Sequence, residues 1–162
     1  MNYELLVIGS GSDAIAEALS SARLGMHVAL AQPSSARAGA VSFAVWKQAA
    51  GNLAGRGVSS MKVLRDEISR LDRDRKEHDQ NELNRLGVEV FSGDVRLVAE
   101  NEILIRDDFE VRSIRADGVL IASGTKPMRP SHFCFDDRTV VDVDSLLKLD
   151  GFPKSVVVVG AG

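Results

Sequence analysis

The residues with the clearest chemical potential form a glycine turn near the N-terminus. A short apolar run at residues 5–8 precedes Gly9, Gly11 and Ala14, which have the spacing Gly-x-Gly-x-x-Ala. Such a run favours a strand buried on both faces. In this arrangement Gly9 permits a sharp turn, Gly11 lets a phosphate approach the backbone, and Ala14 packs a helix against the strand. The pattern therefore predicts a dinucleotide phosphate site, although a glycine turn without a ligand has the same sequence.

Two neighbouring positions modify this hypothesis. Ser12 or Asp13 can cap the following helix, whose N-terminus would face the pyrophosphate, but the Asp13 carboxylate competes for that positive helix end. Gln32 follows a second buried strand, predicted at residues 26–31, where an acidic residue would bind a ribose hydroxyl. A neutral amide makes a weaker hydrogen bond there. Gln32 therefore weakens the expected contact, and its interpretation as a plain loop residue stays open.

The elements that position this turn follow from hydrophobic periodicity. A helix at residues 15–24 connects the two strands, so the chain opens with the βαβ unit that is typical of dinucleotide-binding domains. Further helices are predicted at residues 40–53 and 61–86. Charges of both signs alternate at residues 72–79, which indicates a solvated helix face. We therefore expect His78 to be exposed rather than catalytic.

The period changes after Gly87. Residues 88–91 are predicted to form a short strand of the main sheet, and residues 94–115 alternate apolar with polar side chains, which predicts an antiparallel meander. Residues 117–122 then form another buried strand that ends in a turn of small residues. Ligands bind open α/β sheets at such strand ends. Thr125 and Lys126 could hold a phosphate there, and a plain turn is equally compatible with them.

The last part of the chain repeats the opening pattern. A short strand is predicted at residues 139–143 and a helical turn at 144–149. Residues 154–159 are predicted to form a strong buried strand, which leads into Gly160-Ala-Gly162. This is the start of a second dinucleotide fingerprint without its helix. We expect this strand to be held by strand pairing alone, or to fray.

Composition limits the remaining functions. The chain has 162 residues, of which 44% are hydrophobic, and a net charge of −3 without a basic block. These values predict a globular protein without a nucleic-acid partner, and the βαβ unit described above indicates the α/β class. Since no apolar run approaches membrane-spanning length, we expect a cytoplasmic protein without a membrane partner. Neither His132 nor the single cysteine, Cys134, has a partner at metal-ligand or redox spacing, so no metal site or disulfide is expected.

The order of the motifs resembles the pyridine nucleotide-disulfide oxidoreductases, a family of FAD-dependent flavoproteins. Among its members, the soluble pyridine nucleotide transhydrogenases look most similar, on the segments Lys126-Pro-Met-Arg-Pro130 and Thr139-Val-Val-Asp-Val-Asp-Ser145. The family resemblance rests on the Gly9-Ser-Gly11 turn, the meander, Leu120-Ile-Ala-Ser-Gly-Thr-Lys-Pro127, and Asp142-Val-Asp-Ser-Leu-Leu147 leading into Val156-Val-Val-Val-Gly-Ala-Gly162.

The resemblance implies a doubly wound parallel sheet of the Rossmann-like FAD/NAD(P)-binding type with the meander as an insert. It implies an FAD-binding domain at residues 1–150, and the first strand and Gly-x-Gly of a truncated NAD(P)-binding domain at 151–162. Family members pass hydride between NAD(P)H and FAD, as transhydrogenases and dihydrolipoamide dehydrogenases do. The implied cofactor-binding residues are Gly9, Gly11, Ser12, Ala14, Gln32, Ser123 and Gly124 for FAD, and Gly160 and Gly162 for NAD(P).

The sequence also departs from the family pattern. Between residues 33 and 50 it has no cysteine pair, and Ala44 stands about where a lysine beside the flavin is expected. With Gln32 in place of an acidic residue, the resemblance implies weak FAD binding and no identifiable catalytic residue. The 162-residue chain alone is expected to be inactive as an oxidoreductase. A dinucleotide is the expected partner, and a homo-oligomer or a separate chain supplying the missing domains stays open. The alternative is a non-catalytic nucleotide-binding module, or a degenerate truncated relative.

Overall fold

The computed structural model describes residues 2–34, 43–55, 60–125 and 127–160. The described chain divides into two compact units, which consist of residues 1–42 with 73–125, and of residues 43–72 with 126–162. In chain order the elements are β1 (Asn2–Ile8), α1 (Ser12–Arg23), β2 (Val28–Pro33), α2 (Phe43–Leu53), α3 (Met61–Arg85), β3 (Glu89–Ala99), β4 (Glu102–Arg106), β5 (Val111–Ile121) and a 3₁₀ turn (Leu146–Lys148).

The first unit is built on a five-stranded mixed sheet. Strand β1 lies between β2 and β5 in parallel pairings, and β2 also pairs in parallel with β3. Strand β4 pairs antiparallel with both β3 and β5, so the strand pairings form a closed ring. The antiparallel meander predicted at residues 94–115 is therefore confirmed.

Two strands are longer than the sequence predicts. The strand predicted at residues 88–91 and the first part of the meander predicted at residues 94–115 are joined in β3, and β5 likewise runs from the meander into the parallel sheet. The change in β3 occurs at Gly93, which is the last parallel partner of β2. A Cβ atom at Gly93 would lie 2.4 Å from the Arg106 carbonyl oxygen, so only glycine permits this close crossing onto β4.

The parallel sheet buries both of its faces. Val7 on one face packs with Ala18 of α1 and Leu83 of α3. The opposite face, which carries Leu6 and Ile8, packs against isoleucines of the meander, namely Ile103, Ile105 and Ile114. Alternate residues of β1 therefore enter two separate apolar clusters, which explains why this strand reads as an unbroken apolar run.

Helix α3 confirms the long helix predicted at residues 61–86. His78 is exposed, as expected from the alternating charges around it. Glu82 accepts hydrogen bonds from Arg85 Nε at 2.9 Å and from Arg23 Nη2 of α1 at 3.0 Å. These bonds lower the pKa of Glu82 to about 2, and the bond from Arg85 has the larger effect. None of the described helices is long and apolar enough to cross a bilayer.

The second unit has its own small core and a polar network. Its buried apolar side chains are Val45, Ala49, Met61, Ile68 and Leu71. Arg65 Nη1 donates to the carbonyl oxygens of Leu147 and Leu149, at 3.1 and 3.0 Å. These bonds tie α3 to the segment around the 3₁₀ turn.

A carboxylate explains why residues 139–143 do not form the predicted strand. Asp136 Oδ1 accepts hydrogen bonds from the backbone N–H groups of Arg138, Thr139 and Val140. Side-chain bonds of this kind compete with strand pairing, because they occupy the donors that a sheet requires. Arg129 stabilises the same segment through Asp137, Asp142 and the buried hydroxyl of Ser145.

The buried strand predicted at residues 154–159 is also wrong. Residues 156–159 are 66–88% exposed and form no strand. Within the described chain, no sheet strand pairs with this segment. A strand needs a neighbour to satisfy its backbone donors and acceptors, and a run of valines cannot supply one by itself. The expectation that this segment is held insecurely agrees with its exposure.

Candidate functional site

Gly9 lies where three strands of the first unit converge. Its N–H group donates to the Ala31 carbonyl oxygen of β2 at 2.9 Å. The N–H group of Ala122, which follows β5, donates to the carbonyl oxygen of the preceding residue, Ile8, at 2.8 Å. Gly9 has φ +156°, and a Cβ there would lie 2.2 Å from the Ala122 oxygen and 2.8 Å from the Ala14 Cβ. The fold therefore requires glycine at this position, and Ala14 provides the close helix–strand packing predicted for it.

Gly11, in contrast to Gly9, has no close packing neighbours. It is exposed, with φ −81° and ψ 172°, an extended conformation that any residue adopts. No heavy atom lies within 4 Å of a Cβ built there. The fold therefore does not require glycine at position 11. The open space beside its backbone is what the predicted approach of a phosphate needs.

The N-terminus of α1 follows this open space. The first N–H groups of a helix have no partner within the helix, and α1 has no side-chain cap. The predicted capping by Ser12 or Asp13 is therefore wrong, since the Ser12 hydroxyl instead points to Asp13 Oδ1 at 3.4 Å. The uncapped helix end is suited to an anion. The exposed carboxylate of Asp13 in the first turn opposes that anion.

Gln32 lies beside Gly9 at the same edge of the sheet. It directly follows Ala31, which is the register partner of Ile8. Its side chain is half-buried and has no hydrogen-bond partner among the described residues. The amide is therefore available at the carboxyl end of β2, the position predicted for a ribose contact.

Ser123 and Gly124 reach this edge from β5. Ile121 pairs with Ile8 in parallel register, so the exposed turn that follows β5 leaves the sheet beside Gly9. The structure thus brings to one edge the seven residues predicted for FAD, which lie in α1, in β2 and in the turns that follow β1 and β5. Gly160 belongs to the other unit and is exposed, and Gly162 lies outside the described residues.

Sequence reasoning missed the carbonyl of Ala122, which limits what position 9 can hold. The sequence did show a turn of small residues after β5, but it could not show that this turn lies in contact with Gly9. Strongly shifted titration occurs elsewhere in this unit: burial, with a hydrogen bond to Glu89, raises the pKa of Tyr3 to about 12. Tyr3 lies six residues before Gly9 on β1, or about 20 Å along an extended strand. This shifted group therefore lies away from the edge that carries Gly9.

Within the described ranges, no three His, Cys, Asp or Glu residues form a group that could hold a metal ion. Cys134 is exposed as a free thiol, and His132, also exposed, contacts the Phe133 ring at 4.5 Å between centroids. The described edge instead presents uncapped backbone N–H groups at the start of α1, which are suited to an anion.

The chain is similar in sequence to known proteins over nearly its whole length. The soluble pyridine nucleotide transhydrogenase of Mycobacterium bovis (strain BCG / Pasteur 1173P2) is 33% identical over 181 residues, covering 99% of this chain and 39% of the relative. The enzyme of the same name from Yersinia enterocolitica is 36% identical over 75 residues, covering 46% of this chain and 16% of the relative. The chain thus spans well under half the length of these relatives.

A solved structure supports the fold. The HOCl-induced flavoprotein disulfide reductase RclA from Escherichia coli, in its Cu(II) complex, superposes with a TM-score of 0.66 at 16% identity, covering 81% of this chain and 30% of that protein. The α/β fold class predicted from the sequence is therefore confirmed. The family described as pyridine nucleotide-disulphide oxidoreductase matches residues 3–162. This match and the similarity over nearly the whole chain show that the protein belongs to the pyridine nucleotide-disulphide oxidoreductase family.

Proposed function

We propose that the edge formed by Gly9, Gly11, Gln32 and the turn at residues 123–124 binds the adenosine and pyrophosphate portion of FAD. The observation that carries this proposal is the contrast between the two glycines. Gly9 is explained by packing, whereas nothing within 4 Å explains Gly11. A glycine that the fold does not need, beside an uncapped helix N-terminus, is what close approach of a phosphate requires.

The residues present fit the pyrophosphate better than the ribose. The uncapped amides of α1 can donate to phosphate oxygens without moving a side chain. Gln32 offers the ribose a neutral acceptor in place of a charged one, and Asp13 adds negative charge to the first turn. Each difference costs on the order of 1 kcal/mol, and each 1.4 kcal/mol is a tenfold change in affinity. We therefore expect weak FAD binding.

The wider activity that we infer is hydride transfer between NAD(P)H and FAD, in an enzyme of which residues 1–150 form the FAD-binding part. FAD supplies the hydride-accepting chemistry when it is bound. Residues 151–162 would begin the NAD(P)-binding part, with Gly160 and Gly162 at its fingerprint. Hydride transfer requires a nicotinamide held in a fixed orientation, and residues 156–159 before this fingerprint are exposed. We expect no NADPH oxidation by these 162 residues alone.

A second candidate is a nucleotide-binding module without catalysis. The neutral Gln32 and the acidic Asp13 favour it, because both weaken recognition of FAD without removing the phosphate turn. The two candidates differ in a simple observation. A shift of the flavin absorbance spectrum when FAD is added to the purified chain, which reports binding of the flavin ring, supports the oxidoreductase assignment.

The test is calorimetric titration of the purified chain with FAD. Gly11→Glu places a carboxylate in the open space, where it clashes with no protein atom within 4 Å at Cβ, so the variant should fold. Ser20→Glu adds the same charge to an exposed position in the C-terminal half of α1 and serves as the matched control. We expect at least a tenfold loss of FAD affinity in Gly11→Glu and less than a threefold change in Ser20→Glu.

Three results would contradict the proposal. Equal FAD affinity in wild type and Gly11→Glu would show that the phosphate binds elsewhere. No measurable FAD binding by the wild type would exclude the FAD site. Copurification of stoichiometric FAD would show that Asp13 and Gln32 do not weaken the site as argued. Circular dichroism of each variant separates loss of binding from loss of the fold.

A further inference from the structure

The ribose end of the proposed site lacks the negative charge that its position would ordinarily supply. Gln32 is half-buried at the carboxyl end of β2, without a hydrogen-bond partner among the described residues. Its register partner on β3 is Ser92, and the exposed Ser34 follows two residues later. All three side chains are neutral. Any ribose substituent that meets them therefore meets amide and hydroxyl groups only.

The surrounding charges extend this observation. No Asp or Glu occurs between Glu17 and Ser34, the stretch that leads from α1 through β2. The first carboxylate beyond Ser92 on β3 is Asp94, whose Oδ2 accepts a hydrogen bond from Arg96 Nε at 3.1 Å. Its charge is thus compensated locally. The electrostatic field at the end of β2 is less negative than an acidic residue at position 32 would make it.

A carboxylate and a glutamine amide at position 32 differ in whether they exclude a 2′-phosphate on the ribose. A carboxylate at this position accepts the ribose 2′-hydroxyl and repels a 2′-phosphate. A glutamine amide has an oxygen that accepts from the hydroxyl and an NH₂ group that donates to a phosphate oxygen. We propose that Gln32 is a specificity-determining residue that lets the ribose subsite bind adenine nucleotides both with and without a 2′-phosphate. This inference rests on the nucleotide site proposed above.

The experiment compares two probes that differ only at the 2′ position, ADP-ribose and 2′-phospho-ADP-ribose, by calorimetric titration of the purified chain. In the wild type, we expect the two dissociation constants to agree within threefold. Gln32→Glu should favour ADP-ribose at least tenfold, which corresponds to 1.4 kcal/mol. Gln32→Met removes the polar end without adding charge, and should weaken both probes while keeping their ratio within threefold.

A charge control and a site control accompany these variants. Gln80 on α3 is an exposed amide that bonds to Asn84 Oδ1 at 3.0 Å. Gln80→Glu makes the same chemical change as Gln32→Glu away from β2, and should keep the wild-type ratio. Gly11→Glu should weaken both probes at least tenfold, which assigns their binding to the first fingerprint.

The outcomes separate this inference from the proposed function. A wild type that prefers either probe tenfold, or a Gln32→Glu variant with the wild-type ratio, would overturn the specificity role of Gln32. So would binding of FAD without binding of either probe, or probe binding that Gly11→Glu leaves intact. If neither FAD nor a probe binds the wild type, the nucleotide site itself is refuted, and the inference with it.

Discussion

Replacing Gly9 by alanine tests the packing argument directly. The new Cβ would lie 2.2 Å from the Ala122 carbonyl oxygen and 2.8 Å from the Ala14 Cβ, at φ +156°. Overpacking in a close-packed interior costs about 1–3 kcal/mol, and a residue held in a glycine-only conformation costs about 1–3 kcal/mol more. The smaller entropy of an unfolded chain with alanine offsets about 0.4–1 kcal/mol. We expect a net loss of about 1–6 kcal/mol in the free energy of unfolding.

The matched control is Gly11→Ala, two residues later in the same turn. Its Cβ would meet no atom within 4 Å, at φ −81°. We expect its free energy of unfolding to stay within about 1 kcal/mol of the wild type, since a weaker helix cap and a stiffer unfolded chain nearly cancel. Urea unfolding followed by circular dichroism, with slopes compared between variants, measures both values. A loss below 1 kcal/mol in Gly9→Ala, or equal losses in both variants, would refute the reasoning.

Four further predictions follow from the described contacts. In the folded chain the pKa of Glu82 is lowered to about 2, so its ionised carboxylate stabilises the fold above the ordinary pKa of 4.5, and this stabilisation is lost as the pH falls towards 2. In Glu82→Gln, the free energy of unfolding should therefore fall less steeply with pH over that range. An unchanged slope in acid unfolding would contradict this. Amides of residues 156–159 should exchange rapidly and those of residues 5–8 slowly, as mass-detected hydrogen exchange would show; equal protection would contradict the exposed state. Gln32→Glu should tighten FAD binding several-fold in calorimetry, and weaker binding would exclude a ribose contact. Cys134→Ser should leave FAD affinity within twofold, because this free thiol is exposed; a larger loss would place it in the site.

Much of the fold could be predicted because its signals are local. The apolar run of β1, the glycine turn and the helix that follows lie within a short stretch of chain, and period-2 alternation indicated the meander. The long helix α3 and the exposure of His78 followed from charge pattern in the same way. The predictions for residues 139–143 and 154–159 failed because strand formation needs a partner. Apolar and β-branched composition alone cannot show whether a partner strand is present.

By itself, the sequence determined which residues are candidates and in what order they occur. The Gly9-x-Gly11 spacing, the neutral Gln32 and the small residues at positions 123–124 are all visible without a structure. Only the tertiary structure decided what each glycine does. The carbonyl group of Ala122, a residue distant in sequence, leaves no room for a Cβ atom at Gly9, whereas the space beside Gly11 is open. Parallel pairing of three strands brings these residues to one edge, because such contacts depend on register across the sheet and not on neighbours along the chain.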